Sequence, residues 1–165
     1  MSARARQDER VSERFGFELP LLLLGAFRAI IDELHAELAR LGHPGARPLH
    51  GFALQALGPD GVTIGELGRR LGVSKQAAAK TAKNLEENGY AVRAPHPDDG
   101  RSAVLTRTEL GTEMLRLSAL IFERQREHWA ELLGGERLST LEDDLATLAG
   151  RTPGISMNEL PGWFQ

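Results

Sequence analysis

The sequence predicts a mainly α-helical chain with one small β-hairpin wing, a winged helix-turn-helix set between apolar terminal helices. Three stretches carry this reading. Thr63-Ile64-Gly65-Glu66 has the form of a capping box, and Ile64, Leu67 and Leu71 then recur at helical spacing before Gly72. Gly72-Val73-Ser74 is a tight turn into an alanine-rich helix that stops at Asn88-Gly89. Tyr90–Ala94 and Ser102–Thr106 read as strands around Pro95-His96-Pro97-Asp98-Asp99-Gly100-Arg101, a turn-rich tip.

The second helix is shaped for a DNA groove. Gly72 can take φ > 0 after the preceding helix, and Ser74 can cap the next one. Val73 is expected to be the buried plug between the two. A helix over Lys75–Glu87 would run about 20 Å, long enough to lie in a major groove. Lys75, Lys80 and Lys83 are its only full charges before Glu86.

Taken in order, Met1 to about Arg14 is a polar, charged arm. Pro20–Leu41 predicts a long helix with Leu23, Phe27, Ile30, Ile31, Leu34, Leu38 and Leu41 on its apolar stripe, ended by Gly42-His43-Pro44-Gly45. Leu49, Phe52, Ala53, Ala56 and Leu57 mark a short helix closed by Gly58-Pro59-Asp60-Gly61. After the hairpin, Thr108 can cap a helix reaching about Leu133, with Leu110, Met114, Leu117 and Ile121 on one face. Gly134-Gly135 breaks it, and Ser139-Thr140-Leu141-Glu142 reads as a capping box opening the last helix. The expected organisation is an arm and dimerisation helix over 1–48, a DNA-binding module over 49–107, and dimerisation helices with a tail over 108–165.

Charge is unevenly spread. Between Val62 and Arg107 eight basic residues face five acidic ones, a local +3 in a chain whose total is −3. A basic module held apart from an acidic remainder is the footprint of a nucleic-acid binder, although a solvated face can produce the same pattern. There is no cysteine, which excludes a disulfide framework and a thiol switch. No segment reaches the roughly 18 apolar residues of a membrane span, and no secretory signal is visible, so a cytoplasmic location is expected. The five histidines have no ligand spacing within one helix, and no catalytic motif is present. No metal, no cofactor and no enzymatic activity are expected.

The stretch from about Leu49 to Gly111 resembles the MarR (multiple antibiotic resistance regulator) family. The residues that carry the resemblance are Val73-Ser74-Lys75-Gln76-Ala77, Leu85-Glu86-Glu87-Asn88-Gly89-Tyr90 and the wing-tip Asp99-Gly100-Arg101-Ser102. The family's Leu-Thr-x-x-Gly after the wing is here Arg107-Thr108-Glu109-Leu110-Gly111, matching at the threonine and glycine and departing at the leucine. The resemblance implies a homodimer that binds a palindromic double-stranded operator, usually as a repressor. It also implies an aromatic or phenolic effector between the dimer helices and the winged module. His35, Phe52 and Phe122 lie on helices near that junction without marking a site.

Placement assigns the roles. Ser74, Lys75, Gln76 and Lys80 are candidates for direct contact at the helix N-terminus, where N–H groups and the dipole favour phosphate. Gln76 can pair with adenine, lysine with guanine, and the methyls of Ala77, Ala78 and Ala79 with thymine. Lys83 and Arg93 are candidates for phosphate. By resemblance, Arg101 enters the minor groove and Asp99 steadies it. The plain readings are that Ser74 only caps, that the lysines are solvated, and that Asp99 and Arg101 form a turn salt bridge worth little. The alternative function is a winged-helix protein-interaction module without specific DNA binding.

Overall fold

The computed structural model describes residues 15–95 and 103–150. The elements follow in the order α1 (Glu18–Arg40), α2 (Pro48–Leu57), α3 (Ile64–Leu71), α4 (Lys75–Glu87), β1 (Ala91–Pro95), β2 (Ala103–Arg107), α5 (Glu109–Leu133) and α6 (Gly135–Ala149). The fold is mostly helical with one antiparallel hairpin, as the sequence predicts.

The core lies where α2, α3, α4 and β2 converge beneath α5. Ala53, Leu54, Leu57, Leu67, Ala78, Ala82, Leu85, Leu105 and Met114 are all essentially inaccessible. Each of the leucines stabilises the fold by about 1.5–3 kcal/mol through its burial. Pro48 opens α2 at a position where the missing N–H has no helical acceptor to lose. Val62 joins the hairpin through a bridge to Leu105, with both N–H···O bonds made, at 3.0 and 2.8 Å. This fixes the wing's base to the loop before α3.

The first strand starts one residue later than the sequence suggests, at Ala91, and the second is described from Ala103. The Tyr90 N–H bonds the Leu85 carbonyl, so Tyr90 closes α4 and does not open the strand. The hairpin register pairs Ala91 with Arg107 and Pro95 with Ala103. The tip, including Asp99 and Arg101, lies outside the described residues, as does the 151–165 tail.

Three expectations are corrected. Val73 is not a buried plug, being 38% exposed. Its backbone closes the turn instead, its N–H bonding the Gly68 carbonyl at 2.9 Å. Gly68 has no side chain to hold that backbone off, and Ala78 fills the space beneath. The box at Thr63 is only half made. Thr63 Oγ1 accepts from the Glu66 N–H, but the Glu66 carboxylate turns to Arg69 and Arg70. Ser139–Glu142 does not open α6, which begins at Gly135 after a single break at Gly134 (φ +87°). Within α6, Thr140 donates to the Glu136 carbonyl and Glu142 pairs with Arg126 of α5.

The terminal helices are only partly used. On α1, Ile31, Leu34 and Leu38 are buried, whereas Leu23, Phe27 and Leu41 of the expected stripe are exposed. On α5 the buried line is Met114, Leu115, Ser118, Ile121 and Gln125, with Leu110 outside it. Gln125 Nε2 donates to the Ile30 carbonyl, joining α5 to α1.

Candidate nucleic-acid interface

The turn between α3 and α4 sets the interface. Gly72 adopts the left-handed conformation (φ 65°, ψ 28°) that ends α3 and redirects the chain. Ser74 then caps α4, its Oγ accepting from the Ala77 N–H at 3.2 Å. Ala78, Thr81, Ala82 and Leu85 face the core at spacings of three and four, so the intervening positions must face out. The outward positions are Ser74, Lys75, Gln76, Ala77, Lys80 and Lys83, all exposed. Gln76, Lys80 and Lys83 follow one another along a single stripe at intervals of four and three.

The sequence-predicted contacts divide by what already holds them. Lys75 and Lys80 have no ion-pair partner among the described residues. Lys83 lies 3.6 Å from Glu87, and Arg93 lies 3.1 Å from Glu86. The Ser74 hydroxyl keeps its proton free to donate while its oxygen caps the helix. Among the alanines, Ala78 is fully buried and is lost as a thymine contact, leaving exposed Ala77 and half-buried Ala79.

Groups that bare spacing did not flag support this surface. Glu66 binds Arg69 and Arg70 together, and these hydrogen bonds hold its carboxyl below the usual range. Arg70 also donates to the Ala56 carbonyl at 2.8 Å, tying α3 to α2. The glutamate with arginines three and four residues on was the available signal. A ladder of Asn88 Nδ2 to the Asn84 carbonyl and Asn84 Nδ2 to the Lys80 carbonyl runs up the C-terminal half of α4.

Behind the interface, His35, Phe52 and Phe122 do converge, lining with Arg47 a small cavity of about 20 Å³ between α1, α2 and α5. The sequence treats the histidines as scattered, yet His43 and His50 are both brought against Tyr90. Sequence spacing could not show this, because the three sit on a loop, a helix and a helix end. Among the described residues no group of three or more His, Cys, Asp or Glu side chains could hold a metal ion.

The sequence pattern that defines the MarR family matches residues 48–102, which span α2, the helix-turn-helix and β1. Over this stretch, a third of its length, the chain matches the MarR family. A MarR-type architecture also recurs across most of the chain in solved structures. A transcriptional regulator from Thermotoga maritima is 28% identical with a TM-score of 0.55, covering 81% of this chain and 92% of its own. The transcriptional repressor CouR, solved on a 23-mer DNA duplex, is 27% identical with a TM-score of 0.62, covering 84% and 94%. An uncharacterised HTH-type transcriptional regulator of Mycobacterium bovis is 33% identical over 90 residues, 54% of this chain. The match spans little more than half of that relative, 57% of its length. These relatives are regulators of transcription, not enzymes.

Proposed function

We propose that this chain is a MarR-family, sequence-specific, double-stranded-DNA-binding transcriptional regulator that acts as a homodimer on a palindromic operator. The observation that carries this is the N-terminal face of α4, where Ser74, Lys75, Gln76 and Lys80 stand exposed beside small side chains with their cations unpaired. CouR, the similar protein seen on a duplex, supports the same reading. Residues 49–107 would be the DNA-binding module, with Lys83 and Arg93 on phosphates and Arg101, steadied by Asp99, in the minor groove.

The dimer is supported by apolar surface that the monomer leaves open. Leu19, Leu21, Leu22, Leu23, Leu24 and Phe27 of α1 are exposed, as are Leu141, Leu145 and Leu148 of α6. A contiguous patch of that kind marks an interaction surface. An open groove of about 240 Å³ between α1, α5 and α6, walled by Phe122 and Trp129, continues it. Two copies would set their α4 helices about one helical turn of DNA apart.

Control by a small aromatic or phenolic effector fits the α1–α2–α5 junction. Its cavity has room for about one water, so a ligand must spread these helices to enter. A ligand that binds the spread form better shifts the protein toward it and changes DNA affinity by the same coupling. Repression and a cytoplasmic location complete the reading. No described helix is long and apolar enough to cross a membrane.

The test is selection of bound duplexes from a random pool at fixed salt. The expected product is a palindrome with half-sites about ten base pairs apart. Recovery of DNA without sequence preference, before and after stripping ligand by refolding, would favour the protein-interaction module instead.

A further inference from the structure

Tyr90 is the corner post of the winged module. Its N–H bonds the Leu85 carbonyl at the end of α4, and its carbonyl accepts from the Thr108 N–H at the start of α5. Its ring packs against two imidazoles, tilted to His43 with centroids 5.7 Å apart and edge-on to His50 at 6.0 Å. All three side chains are almost wholly buried. His43 belongs to the α1–α2 loop and His50 to α2, so this stack joins the helical scaffold to the end of the recognition helix.

Neither His43 Nδ1 nor His50 Nδ1 has a hydrogen-bond partner among the described residues. A neutral imidazole tolerates this, because a bare ring nitrogen is only an unfilled acceptor. A charged imidazole does not, because that nitrogen becomes a buried donor with nothing to receive it. The groups that bear on His50 are Arg47 in the loop and His35 on α1, both adding positive potential, with no carboxylate among them. The Tyr90 ring lies edge-on to His50 and supplies no acceptor for the Nδ1 proton.

We propose that the His43–Tyr90–His50 stack is a proton-operated joint: charging His50 breaks the packing on Tyr90 and frees the α4–β1 corner. Burial first, then Arg47 and His35, hold the His50 pKa below its ordinary value of 6.5. The neutral, packed form is therefore intact above 6.5, and its contribution is lost as pH falls below that value toward the folded pKa. The consequence for DNA, loosened recognition helices on acidification, rests on the proposed function. The joint itself does not.

The experiment is amide hydrogen exchange of the full chain, corrected for intrinsic chemistry, from about pH 7.5 to about pH 5.5. Protection of the Leu85–Val92 peptide is expected to fall about tenfold while that of central α5 holds, and His50→Gln is expected to abolish the fall. Unchanged protection in the wild type, or an equal fall in His50→Gln, would overturn the joint. Titration of the His50 Cε1–H proton in the wild-type protein provides a second readout that needs no variant. A midpoint below the ordinary value supports the proposal, and one at or above it refutes it. Binding to the selected duplex, followed over the same range, separates a failed joint from a failed DNA assignment.

Discussion

Replacing Gly111 by alanine tests a close approach of α5 to the backbone of Tyr90. Gly111 sits in the first turn of α5, where its N–H is capped by Thr108 Oγ1 at 3.1 Å. A Cβ there would stand 2.1 Å from the Tyr90 carbonyl oxygen and 3.3 Å from Leu54 Cδ2. The first of these is backbone and cannot swing aside. Overpacking costs about 1–3 kcal/mol, and pushing Tyr90 away weakens the Thr108 N–H bond to its carbonyl, a further 0.5–1.5 kcal/mol or so. Alanine's better helix propensity returns about 1 kcal/mol. The net expectation is a loss of about 1–3 kcal/mol, measured by urea unfolding at fixed protomer concentration. Gly65→Ala is the control. It makes the same exchange on the exposed face of α3, where the nearest foreign atom is 4.0 Å away, and should be neutral to stabilising. A Gly111→Ala protein as stable as the wild type would mean that α5 does not rest on Tyr90 as described.

Further outcomes follow from the same geometry. Thr108→Ala removes a cap that both accepts from Gly111 and donates to the Gly89 carbonyl at 2.6 Å, and should lower unfolding free energy by about 1–2 kcal/mol in the same assay. Lys80→Ala should weaken duplex binding and alter base preference, whereas Lys83→Ala should weaken all sequences alike. A changed preference with Lys83→Ala in competition assays would reverse those roles. Arg101→Ala should reduce operator affinity without changing the circular dichroism spectrum or the sedimentation of the dimer, and unchanged affinity would remove the wing tip from recognition.

Most of the fold was legible because its boundaries are written in local chemistry. Ser74 and Thr108 each accept from the N–H three residues on, and Gly72 takes the left-handed turn its position requires. Where the reading failed, a charged partner outcompeted the helix terminus, on another helix for Glu142 and within the same helix for Glu66. Glu142 could have capped a helix but meets Arg126, and Glu66 meets two arginines instead of closing its box. Val73 looked like core by residue type, but α3 offers it a glycine, so backbone packs where a side chain was expected. The candidate contacts on α4 were readable from helical period alone, apart from Ala78, whose inward turn becomes evident only once Thr81, Ala82 and Leu85 are seen on the same face. The packing of His43 and His50 against Tyr90 was not readable, because no local rule brings a loop, a helix and a helix end together.

The two carboxylates at the end of α4 change what DNA binding would release. Phosphates meeting Lys75 or Lys80 would expel the small cations condensed on the duplex, each such contact steepening the salt dependence by about 0.9 in log–log slope. Phosphates meeting Lys83 or Arg93 must instead displace Glu87 or Glu86, residues that travel with the protein. That exchange swaps one anion for another and gains less from ion release. The module would therefore bind less tightly in dilute buffer than its number of cations implies, and would hold on better as ionic strength rises.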